Sequence, residues 1–299
     1  MIPPRRIILS GGGVKVISII GALNTMYSAG FLKKVKEVCG VSAGAFLAFL
    51  VASGFIIPQI EALIIDLEFS VIRNMTPEAF LGFPETFGID DGANFVKLLE
   101  SIFRVALKID PQITFEQFEK LGREGQLSFR CWATDLNTQS IREFSFIKTP
   151  SVKIIDALRA SMCLPLYFTP IPDPINGHLL SDGGIQGSLP LHHLTHDECQ
   201  ESIAIGFSNP DETLTAVIED LYGFINSLFT SLIHSRNAEF LKKWEHKILR
   251  IPIDNYPSWN FEISREDRLI LLKKGALAGH NWIKNAKSMS RHILRRCSI

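Results

Sequence analysis

The 299-residue chain has only four Trp and four Tyr, no C-x-x-C pair, and no surplus of either charge: Lys+Arg and Asp+Glu both number 31. The even charge excludes a nucleic-acid binder of the strongly basic type. With hydrophobic residues at 46% and charged residues at 21%, the chain has too much to bury and too little charge to stay disordered. Five irregularly spaced cysteines (Cys39, Cys131, Cys163, Cys199 and Cys297) leave an odd thiol. They fit the reduced cysteines of a cytoplasmic protein better than a disulfide framework. The start, MIPPRRIILSGGG, lacks the apolar run of a secretory leader, so no signal peptide is expected. Residues 38–60 hold no charge and are long enough to span a bilayer, but Gly40, Ser42, Gly44, Gly54 and Pro58 interrupt them. A strand, turn and buried helix are expected there instead.

What is present is glycine at the ends of apolar runs. Residues 6–10 (RIILS) read as a buried strand ending in Gly11-Gly12-Gly13. Residues 16–29 read as a helix closed by Gly30. Residues 36–39 form a second strand, running into Gly40-Val41-Ser42-Ala43-Gly44 and an apolar helix to about Ser53. This order predicts an α/β fold with a mainly parallel sheet. Residues 58–126 read as mostly helical, with a capping box at Thr114-Phe-Glu-Gln117. Eight of the 21 Phe fall there, from Phe69 to Phe118, around a Gly/Pro-rich loop at 75–92. Strand patterns return at 127–136, 141–147, 178–181, 203–208 and 248–253. Helices are expected after Thr149-Pro150 through Ala160, over 213–243 and over 264–296. No repeat or low-complexity linker divides the chain, so one domain over 1–299 is the simplest reading.

Three motifs carry chemistry. Gly40-Val-Ser-Ala-Gly44 is a G-x-S-x-G between a strand and a helix, where a serine is exposed on a sharp turn only if its neighbours are small. A tight packing turn is the bland alternative. Gly11-Gly12-Gly13-Val14-Lys15 can aim backbone N–H groups into one concavity and hold an anion. It matches neither the P-loop nor the dinucleotide pattern, and Ser42 one strand later favours an acyl-transfer oxyanion over a phosphate. Asp182-Gly183-Gly184 sets a carboxylate at a strand end beside two small residues; alone it would read as a turn.

Taken together and in this order, the motifs resemble the patatin-like phospholipase family, over about residues 6–210. Ala160-Ser161-Met-Cys-Leu-Pro165-Leu-Tyr-Phe168-Thr-Pro170 and Ala133-Thr-Asp-Leu-Asn137 are similar to further family segments. The resemblance implies a three-layer α/β/α core and a helical C-terminal region over about 211–299. It implies a metal-independent lipid acyl hydrolase with no cofactor, acting on a phospholipid or acylglycerol. Ser42 would be the nucleophile and Asp182 its dyad partner. Gly11, Gly12 and Gly13, with Lys15, would form the oxyanion hole; Gly40 and Gly44 the nucleophile elbow; and Gly183 and Gly184 would flank the dyad. The family glycine after the Lys/Arg is Val16 here, a departure whose Cβ would either tilt the loop or narrow the cleft and so lower activity. Residues 45–51, 69–118 and 164–168 would suit an acyl chain.

Other readings stay open. His192, His193 and His196 follow Asp182 in the chain order of a Ser–Asp–His triad. With Asp197 and Cys199 they also offer metal-ligand types, His192 and His196 sharing a helix face, though H-E-x-x-H is absent. An inactive lipid- or anion-binding module would use the glycine loop alone. The neutral total is also uneven. After Asp267 come eight basic residues and no acid, leaving 23 basic against 31 acidic residues up to and including it. Helix 281–299 would then be either a packed helix with a solvated basic face or a peripheral anchor on anionic lipid. Nothing suggests a nucleic-acid partner.

Overall fold

A computed structural model describes residues 4–208, 238–253 and 262–296, with residues 218, 224, 227 and 256; side chains are described as far as residue 285. Ten strands are present among them: β1 Arg6–Leu9, β2 Glu37–Val41, β3 Gly88–Asp90, β4 Ser128–Asp135, β5 Ser140–Ser145, β6 Leu166–Phe168, β7 Ile171–Pro172, β8 Leu179–Asp182, β9 Ser202–Ser208 and β10 Ile248–Pro252. The helices are α1 Val16–Ser28, α2 Ala43–Ala52, α3 Ile57–Asp66, α4 Pro77–Leu81, α5 Phe83–Thr86, α6 Ala93–Ser101, α7 Phe115–Glu119, α8 Ile154–Ser161, α9 His196–Gln200, α10 Ala238–Lys243 and α11 Arg265–Arg296.

Eight strands form one sheet in the order β10-β9-β1-β2-β4-β8-β7, with β5 also on β4. The run from β10 to β4 is parallel, whereas β5 and β8 on β4, and β7 on β8, are antiparallel. Strand alternation buries both faces. Ile7 and Leu9 join the larger core with α1, α2 and α8. Ile8, Cys39 and Trp132 pack on the other side with Leu191, Cys199 and Trp244. The result is the expected α/β/α arrangement with a mainly parallel sheet.

The C-terminal helix α11 lies against α1 at very short range. A Cβ on Gly275 would overlap the Ser18 carbonyl, and one on Gly21 would overlap the Leu272 carbonyl, so only glycine permits this approach. Arg268 is buried and donates to the carbonyls of Ile65 and Leu67 at 2.8 and 2.6 Å. It closes the C-terminal end of α3 and is no part of a free basic face.

Some expectations need correction. The helix expected after Thr149-Pro150 starts only at Ile154. Thr149 turns back onto Ser145, and the carbonyls of Pro150 and Val152 accept from the Glu116 and Phe115 amides, so these residues are spent before the helix begins. The region 58–126 is a series of short helices with a strand, β3, inside it. Of the helix expected over 213–243, only residues 218, 224, 227 and 238–243 are described, the last as α10.

Candidate active site

The parallel strands deliver the motifs to one edge of the sheet. β1 ends at Leu9, and Gly11 to Lys15 turn the chain into α1. β2 ends at Val41, Ser42 follows with φ 54° and ψ −137°, and α2 begins at Ala43. That backbone is unfavourable for a side-chain-bearing residue and holds only because the surroundings fix it. Gly44 makes the turn possible, since a Cβ there would overlap the backbone carbonyls of Leu9 and Ser10. At Gly40 a Cβ would overlap the Gly44 carbonyl. α2 points its N-terminus at Ser42, a favourable place for developing negative charge.

Asp182 arrives from the antiparallel side, with Ala133 of β4 paired to it. Gly183 lets this strand end press against the elbow, because a Cβ there would overlap both the Trp132 carbonyl and Val41. The Ser42 hydroxyl donates to Asp182 Oδ2 at 2.7 Å, and the Gly184 amide donates to Oδ1 at 2.7 Å. Asp182 is only 5% exposed. Burial pushes its pKa up to about 6, against the opposing pull of the Ser42 and Gly184 hydrogen bonds. The carboxyl is thus more basic than a free aspartate yet ionised near neutral pH.

Ser161 was not assigned a role from the sequence. Its buried Oγ accepts from the Ser42 amide at 3.0 Å and donates to the Trp132 carbonyl at 2.7 Å. This relay ties the strained elbow to β4 and takes up the Ser42 N–H. The only sequence signal was its place in the Ala160-Ser161 segment.

The glycine loop divides. The Gly11 amide donates to the Ser188 carbonyl at 2.8 Å, so it is not free to bind an oxyanion, a correction to the expected set of three. The Gly12 and Gly13 amides have no partner among the described residues. The Lys15 amide returns to the Gly12 carbonyl at 3.2 Å, and its ammonium sits 5.8 Å from the centre of the Phe207 ring. Burial lowers the Lys15 pKa.

Beside Ser42 and Asp182 opens a cavity of about 980 Å³ including its mouth. Every other side chain lining it is apolar: Val14, Val16, Ile17 and Ile20 of the loop and α1, Ala43, Phe46 and Leu47 of α2, Phe69, Ile72 and Phe95 of the 69–118 region, and Met162, Leu164 and Phe168, among others. Val16 is among the residues that line the cavity. The 69–118 phenylalanines split: Phe103, Phe115 and Phe118 are core, whereas Phe80 and Phe87 are more than half exposed.

The histidines lie elsewhere. His192 and His193 are on a short 3-10 turn, Pro190–His193, and no histidine stands between Ser42 and Asp182. Burial pushes His193 down to about 3, helped by His192, and lowers His192 as well. His196 is on α9, a separate helix started by the Thr195 capping box, so it does not share a helix face with His192. No group of three or more metal-ligating side chains occurs among the described residues. Nor is any helix among them long and apolar enough to cross a membrane.

Fold and site together define an α/β/α protein that presents a serine elbow and an aspartate to an apolar cavity. The patatin-like phospholipase profile matches residues 7–195. The chain belongs to the patatin-like phospholipase family, a family of lipid hydrolases. The uncharacterized protein R571 of Acanthamoeba polyphaga mimivirus is 28% identical over 281 residues, which is 91% of each chain. YqhO of Bacillus subtilis (strain 168) is 22% identical over 286 residues, 90% of this chain and 94% of YqhO. The crystal structure of VipD from Legionella pneumophila aligns with a TM-score of 0.60 at 16% identity, over 95% of this chain and 67% of VipD, a likeness of fold.

Proposed function

We propose that the protein hydrolyses fatty-acyl esters of phospholipids or acylglycerols through a Ser42–Asp182 dyad and an acyl-enzyme intermediate. The observation that carries the reading is the direct 2.7 Å hydrogen bond from the Ser42 hydroxyl to a buried carboxylate at the mouth of an apolar cavity. A free aspartate near pKa 3.9 is a poor base for a hydroxyl; one raised to about 6 is better matched.

Ser42 Oγ attacks the ester carbonyl carbon while its proton passes to Asp182 Oδ2. The carbonyl oxygen becomes an oxyanion held by the Gly12 and Gly13 amides. The C–O bond to the alcohol breaks, Asp182 gives its proton to the leaving alkoxide, and acyl-Ser42 remains. A water then gives its proton to Asp182 and attacks the acyl carbon. Collapse restores the Ser42 hydroxyl with the proton from Asp182 and releases the fatty acid. No step uses a metal. The acyl chain lies along Phe46, Ile17 and Phe95, where desolvating each methylene contributes about 0.8 kcal/mol.

Ser42→Ala and Asp182→Asn should each abolish release of fatty acid from mixed phospholipids and acylglycerols, read by lipid mass spectrometry. Full activity in either purified variant defeats the proposal. The same products identify the head group and acyl position.

A further inference from the structure

We infer that the surface formed by α4, α5 and the short β3–β6 ladder docks onto a neutral or zwitterionic lipid surface and faces the cavity mouth toward it. The inference rests on reading the cavity as an acyl site. Val71 (45% exposed), Met75 (42%), Phe80 (55%), Leu81 (82%), Phe87 (53%) and Leu166 (39%) are large apolar side chains turned to solvent in this region. Single exposed apolar residues are ordinary, but six on one cap are not. Phe87 and Leu166 also sit at φ 57° and 64°, a strained backbone for such residues, without gaining burial in return. They are joined through the β3–β6 pairing, where Leu166 lies opposite Gly88. The cap is pinned in place rather than loose: the Asn74 and Gly92 amides donate to the fully buried Asp90 carboxylate at 2.6 and 2.8 Å.

The patch is continuous with the catalytic cavity. Phe69 and Ile72 line the cavity from the same segment that presents Val71 to solvent, and Phe168 lines it from the strand that presents Leu166. An ester drawn from a lipid layer against this patch would enter without crossing water.

Charge selects the occupant. Asp90 is buried, but Glu68, Glu78, Glu85, Asp91 and Glu262 (the partner of Arg73) lie at the surface here, against Arg73, Lys97 and Arg159, a balance that stays acidic. An anionic layer would be repelled, whereas a neutral one would not. The described part of α11 leads away from this surface. α11 starts beside the cap, where Arg268 binds the Leu67 carbonyl, and runs alongside α1 away from Ser42, with Trp282 against Phe31. Lys284 lies sixteen residues, roughly 24 Å of helix, beyond Arg268.

The test uses the full chain carrying Ser42→Ala, so that binding is read without turnover. Its sedimentation is measured with vesicles of pure phosphatidylcholine and of an equimolar phosphatidylcholine–phosphatidylglycerol mixture, at low and high salt. The inference predicts binding to the pure vesicles that is insensitive to salt, and weaker binding to the mixture at low salt. Adding Phe80→Ser and Leu81→Ser should weaken the first by about tenfold, since each removes apolar area of the size that transfer energies reward. In the Ser42 background the same pair should leave hydrolysis of a soluble short-chain ester unchanged, which also shows that the fold survives. Unchanged vesicle binding in the Phe80→Ser/Leu81→Ser variant overturns the inference. So does binding confined to the anionic mixture and lost on deleting residues 284–299. Absence of ester hydrolysis in the Ser42 protein with normal vesicle binding would instead count against the proposed reaction while supporting the surface.

Discussion

Replacing Asp182 by Asn separates the cost of the site from its use. The side chain is 5% exposed, so little solvent relieves its charge. Burial is the largest influence on it and lifts its pKa from 3.8 to about 6. The native chain therefore keeps this proton to higher pH than the unfolded chain does. The stability contributed by this group is full below about pH 4 and is lost as the pH rises through about 6. A shift of about two units corresponds to roughly 3 kcal/mol at neutral pH. Asn keeps the shape: its carbonyl oxygen can accept from the Gly184 amide, and its amide can donate to Ser42 Oγ. The expectation is that Asp182→Asn abolishes ester hydrolysis yet unfolds at higher denaturant than the wild type near pH 7, by up to about 3 kcal/mol. The advantage should shrink to near zero at about pH 4. Urea unfolding of both proteins across this range measures it. An Asn variant less stable than wild type at neutral pH, or a difference that does not change with pH, would refute the reasoning about desolvation.

Four further outcomes follow from the same geometry. The wild-type kcat/KM for a soluble ester should fall below about pH 6, because Asp182 must be ionised to accept the Ser42 proton; a flat profile down to about pH 4 would remove Asp182 as the base. Ser161→Ala leaves the Ser42 amide unpaired, so it should cost about 1–3 kcal/mol of stability, measured by urea unfolding, and lower kcat more than it raises KM. Val16→Gly opens the cavity beside Gly13, so kcat/KM for bulky acyl esters should rise relative to acetyl esters. His192→Ala and His193→Ala should leave turnover per folded molecule largely intact, since the Ser42–Asp182 contact is direct; a large loss would restore the triad.

The local parts of the site were legible because local backbone needs dictate them. G-x-S-x-G announces a strand–turn–helix, and the structure has β2, Ser42 and α2 in that order. Gly11 to Gly13 were visible as a loop, but which amides stay free was not. That depends on Ser188, which is 177 residues further along the chain and takes the Gly11 N–H. Ser161 is another long-range partner, 119 residues from Ser42, and no periodicity marks it. β6 and β7, at three and two residues, are too short to leave a pattern. The cap, read from the sequence as a Gly/Pro-rich loop, holds two short helices, because Pro77 and Pro84 sit in first helical turns instead of only interrupting the chain. Of the basic C-terminal residues, Arg268 turned inward to cap α3, which charge counting along a sequence does not reveal.

The central claim is that Ser42 is a nucleophile made reactive by its place in this fold. Treating the native protein with a serine-reactive fluorophosphonate and mapping the adduct by peptide mass spectrometry tests it most directly. The account predicts one modified residue, Ser42, with labelling lost in Ser42→Ala and ester hydrolysis falling in step with labelling. An unlabelled Ser42 in protein that still hydrolyses acyl esters, or an adduct on another residue that tracks the activity, would contradict it.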